Sequence, residues 1–181
     1  MRRSTIQGAL AALALLTLPN VSSAQTPSLH EVQAADIETM KGKFVGLAEA
    51  FTEDQYDWRP MEGVRSVKDV LALIVAEAHI FPVNWGQAPP AGAGTGFGAE
   101  MQRAGAMTRA QIIDELDSAF DHLVASVRGL DQAALMAETT YFGRQMPAQA
   151  NVFTAMADMH EHLGQLIAYA RANHVVPPWS R

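Results

Sequence analysis

The sequence predicts an all-α protein, a four-helix bundle, from three observations. Four stretches carry apolar residues at three- and four-residue steps, two capping boxes mark helix starts, and no segment shows convincing strand alternation. The first stretch runs from Leu29 to Phe51, with Val32, Ile37, Met40, Phe44, Val45, Leu47 and Phe51 on one face. It ends in Tyr56-Asp57-Trp58-Arg59-Pro60, where proline excludes helix continuation. In Ser66-Val67-Lys68-Asp69 the serine can accept from a free backbone N–H while the aspartate reaches back, so a second helix starts at Val67. That helix runs to about Phe81 and is apolar enough to require burial.

Residues 87–107 contain Pro89-Pro90 and Gly92, Gly94, Gly96 and Gly98, and read as a long connection with one turn around Ala99 to Arg103. Thr108 and Gln111 form the second capping box, opening a third helix that buries Ile112, Ile113, Leu116, Phe120, Leu123, Val124 and Val127 before Gly129. After a short turn of helix over Asp131 to Ala137, the segment Thr139 to Gly143 looks extended. Pro147 suits the first position of a fourth helix reaching Ala172 or Asn173, before Pro177-Pro178. A connection as long as 87–107 permits the second and third helices to run parallel.

The start of the chain reads differently. Met1-Arg2-Arg3 followed by the apolar run Ile6 to Leu18 is the pattern of a secretory signal, with Ser22 and Ala24 as the small residues before a cleavage site. The run falls short of the ~20 residues that span a bilayer. Residues 1–24 are therefore expected to be a signal peptide and 25–181 the mature domain, periplasmic or secreted and without stable membrane insertion. Loss of Arg2 and Arg3 leaves 11 basic against 19 acidic side chains, a formal charge of −8. Such a balance argues against nucleic acid or an anionic membrane surface as partner. With no cysteine there is no disulfide framework, thiolate nucleophile or iron–sulfur cluster, and any metal must be held by histidine and carboxylate.

On the fourth helix Val152, Met156, Met159, Leu163, Leu166, Ile167 and Ala170 form the buried stripe. Beside it Asp158, His162, Gln165 and Tyr169 follow one another at three- and four-residue steps, so their side chains share a flank, while His160 points elsewhere. Two ligands at i and i+4 can reach one metal ion. His79, an ionisable group near the end of an apolar helix, is the expected third ligand, because burial without a partner would be costly. On spacing alone two other readings stay open: a buried histidine satisfied by a hydrogen bond, and an ordinary Asp158–His162 surface pair worth about 0.3–0.5 kcal/mol. Glu77 and Glu161 could support the ligands from behind, but a solvated role is favoured for both, and His30, His122 and His174 read as surface residues. Gln165 and Tyr169 are placed to orient the His162 imidazole or a water.

The segment Asp158-Met-His-Glu-His162-Leu-Gly164-Gln165, followed by Tyr169-Ala-Arg171 and Val176-Pro177-Pro178, resembles the last-helix signature of the DinB-like metal-binding four-helix proteins. Trp58-Arg59-Pro60, Ser66-Val67 and His79 are similar to that family's entry into its second helix. The resemblance implies up-down-down-up topology and a divalent metal, Zn, Ni, Fe or Mn, held by the second and fourth helices. Carried over by position, its ligands fall on His79, Asp158 and His162, with Asp158 standing where the family commonly has histidine. Three functions are compatible with this pattern. One is a metal-dependent hydrolase or group transferase acting on a small molecule; the second is a non-catalytic, stress-related metal- or ligand-binding protein of the envelope; the third, if Asp158 does not ligate, is a structural bundle without metal. A homodimer is compatible with each.

Overall fold

The computed structural model describes residues 27–180, so the expected signal peptide lies outside the described residues. Six helices and one small sheet follow in the order α1 (Leu29–Ala50), α2 (Val67–Ile80), α3 (Phe97–Gly105), α4 (Arg109–Arg128), α5 (Gln132–Met136), β1 (Glu138–Tyr141), β2 (Arg144–Pro147) and α6 (Ala148–Ala172). Both capping boxes form as the local sequence dictates. Asp69 N–H donates to Ser66 Oγ at 3.1 Å and Ser66 N–H to Asp69 Oδ2 at 2.8 Å. At α4, Thr108 N–H donates to Gln111 Oε1 at 2.9 Å and Gln111 N–H to Thr108 Oγ1 at 3.3 Å.

The long helices pack around Phe44, Phe51, Ile37, Leu71, Ile74, Ile112, Phe120 and Met159, all fully buried. Phe44 of α1 stacks on Phe120 of α4 at 5.6 Å between ring centroids. Burial of each such side chain stabilises the fold by about 1.5–3 kcal/mol. Cross-helix contacts give the directions. Arg128 near the end of α4 reaches Glu38 at 2.9 Å, whereas Arg109 at its start donates to the Glu49 carbonyl at 2.8 Å, so α1 and α4 are antiparallel. Asp36 meets His160 at 2.6 Å, and Gln55, just beyond α1, meets the Asn173 carbonyl just beyond α6, so those two helices run together. Tyr169 bonds to the Arg65 carbonyl before α2, while Glu77 near the end of α2 faces His162; α2 and α6 are therefore antiparallel. It follows that α2 and α4 are parallel, and their connection must travel back along the bundle.

That connection is more structured than its glycines and prolines suggested, because α3 occupies nine of its residues and packs against α2. The extended segment also differs from expectation. It pairs in register with residues 144–147 as a β-hairpin, Tyr141 opposite Arg144, and Phe142 and Gly143 turn the chain with φ of 45° and 78°. Two positive φ values in a two-residue loop match the twist of the flanking strands. Pro147 ends this hairpin and caps α6 from outside rather than occupying its first turn. Among the described residues no helix is long and apolar enough to cross a membrane.

Candidate metal centre

The polar flank of α6 faces α2, and there the structure brings Asp158 and His162 together with Glu77. One ligand atom from each lies within 4.8 Å of the other two. His162 Nε2 is 3.7 Å from Glu77 Oε1 and 3.9 Å from Asp158 Oδ1. Donors each ~2.1 Å from one ion lie no more than ~4.2 Å apart, so both pairs fit a shared cation.

His79 does not join this group. Residues 77 and 79 are two positions apart on α2, about 200° around the helix, so only one can face α6. The expected solvated role of Glu77 is corrected in the same way: its residue is 2% exposed, and its Oε2 has no hydrogen-bond partner among the described residues. Burial first, then the adjacent Asp158 carboxylate, push the Glu77 pKa up to about 9. The signal available in the sequence was that Glu77, like His79, is ionisable in an apolar helix; choosing between them required knowing which face meets α6.

His162 is held by a directional relay. The Arg65 carbonyl can only accept, so the Tyr169 hydroxyl donates to it at 3.0 Å. That hydroxyl therefore accepts from Gln165 Nε2 at 2.7 Å, which turns Gln165 Oε1 towards His162 Nδ1 at 3.2 Å. Nδ1 must carry the proton, and the Nε2 lone pair is left facing Glu77 and Asp158. Outer partners of this kind fix both ring orientation and tautomer. His160, as expected, points away, to Asp36.

His79 belongs to a second polar cluster, between α2, α3 and α4. Its Nδ1 lies 2.8 Å from Oε1 of Glu100, a residue with no exposed surface. Arg103 joins Glu100 to Glu115, with Nη2 at 2.5 Å from each, and the Gly94 N–H donates to Glu100 Oε2 at 2.5 Å. Burial opposes ionisation of Glu100, but the hydrogen bonds from Arg103, Gly94 and His79 prevail and lower its pKa to about 2. A guanidinium already balances these carboxylates, so the cluster works as a clasp for the 87–107 connection. His122, expected on a solvated face, instead packs edge-on to His79 with ring centroids 6.2 Å apart. Burial, then the proximity of His79, lower its pKa.

Glu77, Asp158 and His162 line a cleft of about 620 Å³ whose wall also includes Arg65, Phe97, Tyr141 and Phe142. The Tyr141 phenol stays protonated, its pKa raised by burial and then by the Asp158 and Glu77 carboxylates.

The DinB superfamily model matches residues 36–166, which span most of α1, the cleft and most of α6. The chain belongs to the DinB superfamily. Its fold is similar to the crystal structure of a DinB-like protein from Bacillus subtilis, with 20% identity and TM-score 0.63, covering 83% of this chain and 97% of that one. A DinB-like protein from Bacillus cereus gives 15% identity and TM-score 0.67 over 82% and 95% of the two chains. A mycothiol-dependent maleylpyruvate isomerase gives 14% identity and TM-score 0.61, over 76% of this DinB-like chain but 60% of the isomerase. No curated protein sequence matches the chain.

Proposed function

We propose that this DinB-superfamily protein is an exported divalent-metal protein, with the ion held by Glu77, Asp158 and His162, acting as a hydrolase or group transferase on a small molecule. The observation that carries the reading is the convergence of three donors at one wall of an open cleft, with Glu77 Oε2 buried and without a partner among the described residues. A cation is the partner that lets two neighbouring carboxylates ionise together. Two carboxylates and one imidazole make a harder donor set than three imidazoles, which favours Mn, Fe or Zn over Ni.

When bound, such an ion supplies Lewis acidity and lowers the pKa of a water or thiol. The chain's own residues do the rest. Gln165 and Tyr169 hold the His162 ring so that Nε2 faces inwards. Tyr141 presents a protonated phenol at the cleft wall, a donor for developing negative charge on a substrate. Phe97 and Phe142 give one end of the cleft an apolar, aromatic wall. Thiol chemistry is the version suggested by the name of the isomerase of similar fold, but small cellular thiols are mainly cytosolic. Export therefore favours hydrolysis, and the signal-peptide reading of residues 1–24 is part of the proposal.

Elemental analysis of untagged protein tests the centre. We expect stoichiometric Mn, Fe or Zn, lost in Glu77→Ala, Asp158→Ala and His162→Ala and kept in His160→Ala. Loss in His79→Ala together with retention in Glu77→Ala would return the ligand role to His79, and no metal in the parent protein would refute the centre. Cell fractionation with N-terminal sequencing tests export; the expected start is Gln25, and an intact Met1 in the cytoplasm would exclude it.

A further inference from the structure

The cleft is not chemically uniform, and its parts are ordered along α6. The hairpin end is fixed by Asn151, whose Nδ2 donates to Thr139 Oγ1 at 3.2 Å; Asp158 and His162 occupy the middle; Tyr169 marks the far end by its bond to the Arg65 carbonyl. At the hairpin end the wall is aromatic. Tyr141 sits edge-on to both Phe81 at 5.5 Å and Phe142 at 4.7 Å, and Phe97 stacks on Phe81 at 6.4 Å with the planes 9° from parallel. Phe97, Tyr141 and Phe142 also line an adjoining cavity of about 200 Å³, so the apolar surface continues past the main cleft. Phe142 is 77% exposed at the tip of the hairpin, held there by a backbone that few non-glycine residues adopt.

At the opposite end Arg65 is, among the described residues, the one arginine or lysine lining a cleft that also contains Glu77, Asp158 and Glu161. Its side chain makes no hydrogen bond or ion pair with any described residue, although its charge is felt at Glu77. An arginine left unpaired beside carboxylates is available to a ligand anion, and its planar fork matches a carboxylate.

From this arrangement we infer that the cleft takes an elongated small molecule with a carboxylate at one end, bound by Arg65, and a flat apolar group at the other, bound by Phe97, Tyr141 and Phe142. The part between them then lies over Glu77, Asp158 and His162. The inference rests on the proposed metal centre in one respect: a divalent cation held by Glu77, Asp158 and His162 makes the middle of the cleft less negative. Carboxylate binding is therefore tighter in the metal-loaded protein.

Hippurate, which carries a ring, a central amide and a carboxylate, tests this by titration calorimetry on the full mature chain with and without Zn²⁺ or Mn²⁺. Hippuramide removes the charge and N-acetylglycine removes the ring. We expect one-to-one binding of hippurate, with both analogues weaker by about tenfold or more, the usual consequence of losing a charged hydrogen bond or a buried ring. Arg65→Gln, an exposed position, should take up metal as the parent does and lose the preference for hippurate over hippuramide. Phe142→Ala should lose the preference over N-acetylglycine. Equal binding of hippurate and hippuramide by the parent, or an unchanged preference in Arg65→Gln, overturns the anion subsite. Metal uptake without hippurate binding refutes this inference and leaves the metal centre standing. Arg65-dependent hippurate binding without metal uptake supports the subsite and refutes the centre.

Discussion

Glu77→Gln should stabilise the metal-free protein, although it removes a proposed ligand. Glu77 has a folded pKa of about 9 against an ordinary value of 4.5, so the folded state binds the proton more tightly than the unfolded chain. A raised carboxyl pKa leaves stability intact below the unfolded value and erodes it as pH rises towards the folded one. At pH 7 the interval above 4.5 corresponds to about 3 kcal/mol, at pH 5 to about 0.7 kcal/mol. Glutamine keeps the shape of the protonated carboxyl without that cost. Urea unfolding in the presence of a chelator should give Glu77→Gln an advantage of about 3 kcal/mol at pH 7, a rise of about 6–12 °C in Tm for a domain of this size, shrinking towards pH 5. Excess divalent metal should reverse the order, because an ion that binds only the folded parent stabilises it by mass action. Identical pH profiles for the two metal-free proteins, or a less stable variant at pH 7, would refute the burial and charge argument.

The Glu100 clasp behaves with the opposite sign. Its pKa is lowered to about 2, so its contribution is complete above the unfolded pKa of 4.5 and disappears as pH falls through 2. Glu100→Gln should cost about 3 kcal/mol in chemical denaturation at pH 7 and almost nothing near pH 2, provided the fold persists there. Gly94→Ala should destabilise by about 1–3 kcal/mol, read from its urea midpoint, because an added Cβ would stand 2.4 Å from the Glu100 backbone nitrogen. Gln165→Leu should weaken metal binding about 10–100-fold in competition titrations while leaving the far-ultraviolet circular dichroism unchanged, since it releases the His162 ring without touching the ligands.

The helices were legible where the deciding chemistry is local. Ser66 with Asp69 and Thr108 with Gln111 carry their own start signals within four residues, and the α6 stripe through Met159, Leu163 and Leu166 is buried as its period implies. The Asp158–His162 pair was legible for the same reason, because i and i+4 on a helix are neighbours whatever surrounds them. What escaped depends on contacts between distant segments. Glu77 and His79 are equally plausible on an apolar helix until α6 takes one face and α3 and α4 the other. Glu100 and Arg103 sit in a glycine-rich stretch whose partners, His79 and Glu115, are 21 and 12 residues away. The hairpin was half visible: Thr139 to Gly143 looked extended, but its mate, Arg144 to Pro147, is too short to announce itself.

The relay behind His162 has one further consequence. Its polarity originates at a peptide carbonyl 104 residues away in sequence from Tyr169, and a carbonyl has no proton to give. The orientation of every hydrogen along the line is thus written by the main chain. As long as that line of hydrogen bonds is intact, the nitrogen offered to the cleft is Nε2.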